Sequence, residues 1–255
     1  YMYQSDVLDG AAGIGGNLQM LGSPGYGVVF DVGNGSCSSG SGCAGFYRRS
    51  GQSIFYDSPD IGGFTFGIAQ GLNAYQSASG GTKPTFTSLG AQFKPADMPF
   101  FVNVAYERHK DFFGLQKITG ITNTAAVAPT AGPDGIFGNG DDTAAVAAVT
   151  GRQGTGSTDT GMQIGGGFTF GDFSIFARYE QLKYKTDGLN SGLVNEYKRD
   201  ATWFGLKYNL ATGYIGAQFG VANDGKCAIA GGTSCSAKES GSTQFSLGYA
   251  HNLSK

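Results

Sequence analysis

No stretch of this chain approaches the roughly 18–20 consecutive apolar residues that a membrane-crossing helix needs, so a helical membrane protein is excluded. Charge is also scarce: charged residues make up 14% of the chain, against about a quarter in ordinary soluble domains. The net charge is −2 and the pI about 5.6. With no basic stripe, nucleic-acid binding has no electrostatic footprint. Histidine is nearly absent. His109 and His251 lie on separate strand-like runs, and there is no G-x-S-x-G elbow, P-loop or H-E-x-x-H motif, so nothing supports an enzyme. The one tryptophan contrasts with 19 Phe, 13 Tyr and 45 Gly.

Those aromatics are placed with a period of two. In the run from Gly63 to Gln70, Phe64, Phe66 and Ile68 fall on one side and Thr65, Gly67 and Ala69 on the other. The pattern returns at 100–107, 162–170, 174–180, 203–208, 214–221 and 244–249. Strand side chains alternate faces, so each run has one greasy face and one small or polar face. Lipid outside and water inside asks for this arrangement, and a barrel span is only about ten residues and half polar, in keeping with a mean hydropathy of −0.15. The fold expected is all-β, an antiparallel transmembrane barrel, with Phe64, Phe66, Ile68, Val102, Val104, Phe168, Leu206, Phe219 and Leu247 pointing away from the lumen.

One partial barrel domain over 1–255 is expected. Residues 1–47 read as one long glycine-rich loop with a helical turn near Val7-Leu8. Nine strands follow, at 49–57, 62–73, 84–95, 99–110, 159–171, 173–184, 199–210, 213–223 and 242–253. Tight turns are marked by Ser58-Pro59-Asp60, Pro95-Ala96-Asp97, Gly171-Asp172 and Ala211-Thr212-Gly213. Long loops fall at 74–83, 111–158, 185–198 and 224–241, the second with a helix over Thr143 to Val149. Short turns at one end and long loops at the other are the habit of outer-membrane barrels.

The four cysteines pair by proximity, Cys37 with Cys43 and Cys227 with Cys235, each pair in a Gly/Ser-rich loop. Short, even-numbered spacings suggest disulfides and an oxidising compartment. Free thiols or a metal site are the alternatives, though neither C-x-x-C spacing nor a nearby histidine supports zinc.

Three motifs carry a family resemblance. Arg49-Ser50-Gly51-Gln52-Ser53-Ile54-Phe55-Tyr56-Asp57-Ser58-Pro59, followed by Gly62-Gly63-Phe64, resembles a strand and turn of the general diffusion porins of Gram-negative bacteria. The run Gln244-Phe245-Ser246-Leu247-Gly248-Tyr249-Ala250-His251-Asn252-Leu253-Ser254-Lys255 is similar to the Y-x-L-G-Y-x-H-N-L-S-K strand of that family's β-proteobacterial branch. Asp6-Val7-Leu8 ahead of Gly13-Ile14-Gly15 resembles the start of the loop that the family folds into its own pore. The resemblance implies about sixteen strands in the intact barrel, a homotrimer, contact with the lipid bilayer and lipopolysaccharide, and location in the outer membrane of a Gram-negative bacterium. On that template the chain reads as a fragment, cut at both ends, from the constriction loop to about the fourteenth strand. The family's chain ends in an aromatic residue where this one has Lys255.

The resemblance carries Arg49 into the constriction, and strand parity agrees, since Ile54 and Tyr56 on the lipid side put Arg49 on the lumen side. Arg48 has the other parity but sits at a loose strand end. A fixed charge on a rigid donor fork can hold a field that sorts ions. Parity adds Lys94, Asn103, Glu107, Arg178, Glu180, Lys207, Gln218 and Gln244 as lumen candidates. Asp6 and Asp9 are candidates for the pore eyelet, with Asp6 as helix cap the plain alternative. Basic candidates slightly outnumber acidic ones, which hints at anion preference. Asp134, Asn139, Asp141 and Asp142 crowd onto glycine turns as flexible calcium would want, though the spacing is not that of an EF-hand and a solvated acidic loop is the alternative. No other cofactor is implied. The function expected is a water-filled channel for passive diffusion of small hydrophilic solutes and ions. The alternative is an outer-membrane or secreted β-domain acting through its long loops as an adhesin or binding module.

Overall fold

The computed structural model describes residues 46, 53–71, 85–111, 131, 133, 156–187, 194–229, 234–237 and 241–253. Among them are eleven strands and no helix: β1 (Ser53–Asp57), β2 (Phe64–Gly71), β3 (Thr85–Phe93), β4 (Phe100–Lys110), β5 (Ser157–Phe170), β6 (Phe173–Thr186), β7 (Val194–Leu210), β8 (Gly213–Ala222), β9 (Gly225–Ile229), β10 (Ser234–Ala237) and β11 (Ser242–His251). They form one sheet in the order β1-β2-β3-β4-β5-β6-β7-β8-β11, and β9 pairs with β7 and β10. Every pairing is antiparallel, so the nine expected runs make the expected meander. Along the path β1 and β11 are the sheet's edges, and the barrel is not closed within the described residues.

The turns are built as their residues demand. Asp60 Oδ1 accepts the Gly63 N–H at 2.6 Å and Ser58 Oγ accepts the Phe66 N–H at 2.9 Å, closing the β1–β2 connection. Gly63 has φ +88°, and a Cβ there would lie 2.6 Å from the Pro95 Cα in the neighbouring turn, so only glycine fits. Successive turns are stitched together by Thr169 N–H to the Pro99 carbonyl, Asn209 N–H to Asp172 and Asn252 N–H to Thr212.

Two expectations need correction. The segment 224–241, expected as a loop, contains the β9–β10 hairpin. The central strands also run further than expected: β5 starts at Ser157, β6 ends at Thr186 and β7 starts at Val194. In these outer stretches Thr158, Thr160, Lys183, Lys185 and Lys198 take over the outward face. The greasy-polar contrast is lost there while the backbone ladder continues. The 1–45 part of the first loop, residues 49–52 of the first expected strand, the loop at 74–83 and the helix over Thr143 to Val149 lie outside the described residues.

Burial is inverted relative to a soluble protein, where large apolar side chains go inside. All nine side chains expected to point outward are exposed, Leu247 at 65%. Arg178 and Glu180, by contrast, are 4% and 1% exposed. The outward face is layered. Near the turns, aromatic rings run from strand to strand, with Phe93–Phe100 at 6.2 Å, Phe170–Phe173 at 5.3 Å and Phe173–Tyr208 at 6.4 Å. Along β6 the outward residues then read Phe173, Ile175, Ala177, Tyr179, Gln181, Lys183. Ten steps of about 3.4 Å separate the first from the last, which at a strand tilt near 40° is about 26 Å of height, close to the hydrocarbon band of an outer-membrane barrel.

Candidate functional site: the inward wall

The opposite face of the sheet is set by the same alternation. On β4 to β8 it presents Asn103, Glu107, His109, Asp159, Gln163, Arg178, Glu180, Tyr184, Tyr197, Arg199, Trp203, Lys207 and Gln218. Near the turns a hollow of about 260 Å³ is bordered by Asp57, Thr65, Gln92 and Asn103.

At mid-height, Gln163 Nε2 donates to Glu180 Oε2, satisfying a buried carboxylate. The Arg178 guanidinium lies 5.7 Å from the Trp203 ring centre, a cation–π contact strengthened by desolvation. Trp203 packs against Ala201, Ala222 and Phe176. Gly205 makes room for it, since a Cβ there would meet the indole at 2.7 Å. Lys207, nearer the turns, stands 4.6 Å over the Tyr214 ring.

Nearer the long loops the wall becomes aromatic and acidic. His109 Nε2 and Glu107 Oε1 are 2.6 Å apart and both side chains are buried. Phe46, which follows the N-terminal glycine-rich run, stacks on the His109 ring at 4.7 Å and meets Tyr184 edge-on at 5.6 Å. Phe86 meets the same histidine edge-on at 6.1 Å. Asp159 is registered opposite both His109 and Tyr184, Tyr184 meets Tyr197 at 6.2 Å, and Arg199 Nη2 donates to Ser242 Oγ at 3.2 Å.

Of the residues proposed from sequence, Glu107, Arg178, Glu180 and Lys207 stand on this wall. Lys94 lies exposed in the turn after β3, its N–H donating to the Gly63 carbonyl at 2.7 Å. Arg48, Arg49, Asp6, Asp9, Cys37, Cys43, Asp134, Asn139, Asp141 and Asp142 fall outside the described residues. Cys227 is disulfide-bonded, and the β9–β10 register sets Cys235 directly opposite it. No group of three potential metal ligands occurs among the described residues. Sequence reasoning passed over Phe46, Asp159, Tyr184, Tyr197, Arg199 and Trp203. The last five share strand parity with Gln163, Arg178 or Lys207, which is the signal that finds them.

Four acidic residues, Asp57, Glu107, Asp159 and Glu180, and three basic ones, Arg178, Arg199 and Lys207, face inward among the described strand residues. This part of the wall carries no cationic excess. It is polar and charged, with the greasy face turned the other way.

A sequence profile of the Gram-negative porins matches residues 119–255. Among solved structures, the anion-selective porin from Comamonas acidovorans matches with a TM-score of 0.51 at 17% identity, over 81% of this chain and 46% of that one. At that identity the likeness is one of fold, and this chain spans less than half the length of that porin. A search of curated proteins finds no match. With the profile covering more than half of the chain, on a sheet that turns an apolar belt outward and buries charged side chains on its inward face, the chain belongs to the Gram-negative porin family and its place is the outer membrane.

Proposed function

We propose that this porin chain forms part of the wall of a water-filled channel through which small hydrophilic solutes and ions diffuse passively, with a weak preference for anions. The observation that carries the proposal is the inverted sheet: a continuous apolar belt outside and buried, hydrogen-bonded charges inside. A channel of this kind needs no catalytic group, and the proposal assigns none. It includes a homotrimer, with the bilayer and lipopolysaccharide as surroundings.

Selectivity is assigned to Arg49, with Arg48 beside it and Asp6 and Asp9 as acidic counterparts at the eyelet. Phe46 supports this assignment. Its ring is packed on the inward wall against His109 and Tyr184, and Arg49 comes three positions later in the sequence. The described wall has no cationic excess of its own, so the preference for anions rests on the arginine pair. The Comamonas porin of the same fold is anion-selective by name. In the full-length porin, Arg49→Ala lowers anion-over-cation permeability in planar bilayers, and the effect shrinks in high salt as screening grows. Unchanged reversal potentials at low salt would make Arg49 a rim residue and overturn the assignment.

A further inference from the structure

One side chain breaks the sorting that the rest of the sheet obeys. Among the described strand residues, Phe55 is the one large apolar side chain that is exposed, at 68%, and has inward parity. It stands opposite Ala69 and between the outward-facing Ile54 and Tyr56. A lone exposed apolar residue is ordinary on a protein surface. This one gains meaning from what lies beside it.

Two positions further along β1, about 7 Å away on the same face, the exposed Asp57 opens a row that continues through Gly67, Gly90 and Ala105, each registered directly opposite the next. The last three have no side chain larger than a methyl group, so the row is a shallow floor. On its turn side runs a second row, Thr65, Gln92 and Asn103, again directly opposed across β2, β3 and β4. Between these rows lies the hollow of about 260 Å³. Among the described residues, the Thr65 hydroxyl and the Gln92 amide take part in no hydrogen bond, which leaves both open to a ligand.

The chemistry of this patch selects its occupant. One hydroxyl and two amides offer donors and acceptors alike, and a carboxylate accepts strongly from O–H groups. No basic residue borders the hollow, so it does not gather anions. The phenyl face of Phe55 takes apolar C–H surface. A ring with hydroxyls around its edge and C–H groups on its flat faces matches both. The volume falls below the roughly 300–1,000 Å³ of pockets for drug-sized ligands, so the match is one small ring.

We propose that Phe55, Asp57, Thr65, Gln92 and Asn103 form a weak subsite for a neutral pyranose sugar on the inward wall, toward the short-turn end of the sheet. The proposal rests on the porin reading of this face, and it deepens that reading by giving one class of solute a place along the wall. The sugar ring lies against Phe55 and the Gly67–Gly90 floor, with its hydroxyls toward Asp57 and the amides. A sugar held there narrows the water path for ions, so occupancy is readable as current.

The test is the block of single-channel ion current by D-glucose, with the full-length porin in planar bilayers. Phe55→Ala raises the half-blocking glucose concentration by about fivefold and Asp57→Asn by about tenfold, whereas Phe55→Tyr keeps the wild-type value. Phe55→Ala is the decisive variant, because so exposed a ring contributes little to the fold. Current without sugar verifies that each variant forms a channel. Equal half-blocking concentrations in wild type and Phe55→Ala overturn the proposal. So does a wild-type current that glucose lowers no more than it lowers the conductivity of the bulk solution. Block by tetramethylammonium at the same or a lower concentration also overturns it, because Asp57 and the ring would then hold cations. A wild-type protein that opens no channel in bilayers fails the porin reading instead, so the two failures are distinguishable.

Discussion

Phe204 and Trp203 are consecutive residues with opposite fates. Phe204 is 54% exposed on the outward face and Trp203 is 2% exposed on the inward one, directly opposite Arg178. A charge therefore belongs on one side of this backbone and not on the other. Replacing Phe204 by arginine in the full-length porin is expected to cost about 2–4 kcal/mol, read by urea unfolding from lipid vesicles. A loss below about 1 kcal/mol, the figure for positions near the interface, would mean that this face does not meet the bilayer interior. Alternation alone sorts such pairs, which is why Glu107, Arg178, Glu180 and Lys207 can be assigned to the inward side without coordinates. It fails where both faces turn polar. Asp159, Tyr184 and Arg199 sit at or just beyond the ends of the apolar runs, where lipid no longer dictates the outward residue. Phe46 escapes for another reason: an aromatic at the end of a glycine-rich stretch has no period to place it, and its partners His109 and Tyr184 are remote in sequence.

The β9–β10 hairpin is the element least legible in advance. Gly225–Ile229 and Ser234–Ala237 are short, rich in small residues and without a greasy face. What makes them strands is tertiary: β8 stops at Ala222, β7 continues back to Val194, and β9 pairs with the part of β7 that β8 leaves uncovered. Gly225 fits because a Cβ there would strike the Tyr197 ring at 2.2 Å. Directly opposed residues on antiparallel strands have Cα atoms about 4.5–5.5 Å apart, within the range that a disulfide spans. Non-reducing peptide mapping is therefore expected to show Cys227 linked to Cys235, and Cys37 to Cys43 within their own loop. Crossed pairs or free thiols would refute it. Closing so short a loop is worth about 2–3 kcal/mol in the chain-entropy account. Reduction should then lower amide protection in β9 by up to about a hundredfold while β2 to β6 keep theirs, since those strands are held by their own ladders.

On the scale of the whole molecule, the sheet has two solvents, one on each side, and one tryptophan in the entire chain. That indole is on the inward side, packed beside Arg178 and Phe176, with its Nε1 lacking a hydrogen-bond partner among the described residues. The protein thus carries a built-in optical gauge of which solvent lies where. Lipids brominated in their acyl chains quench tryptophan only at close range, so in bromolipid vesicles the emission of Trp203 should be nearly unaffected. Moving the fluorophore by a single residue, with Trp203→Phe combined with Phe204→Trp, should make the same lipids quench strongly. Equal quenching of the two proteins would mean that the sheet does not separate lipid from water. Unequal quenching would turn the inside-out fold into a colour that can be followed while the barrel assembles.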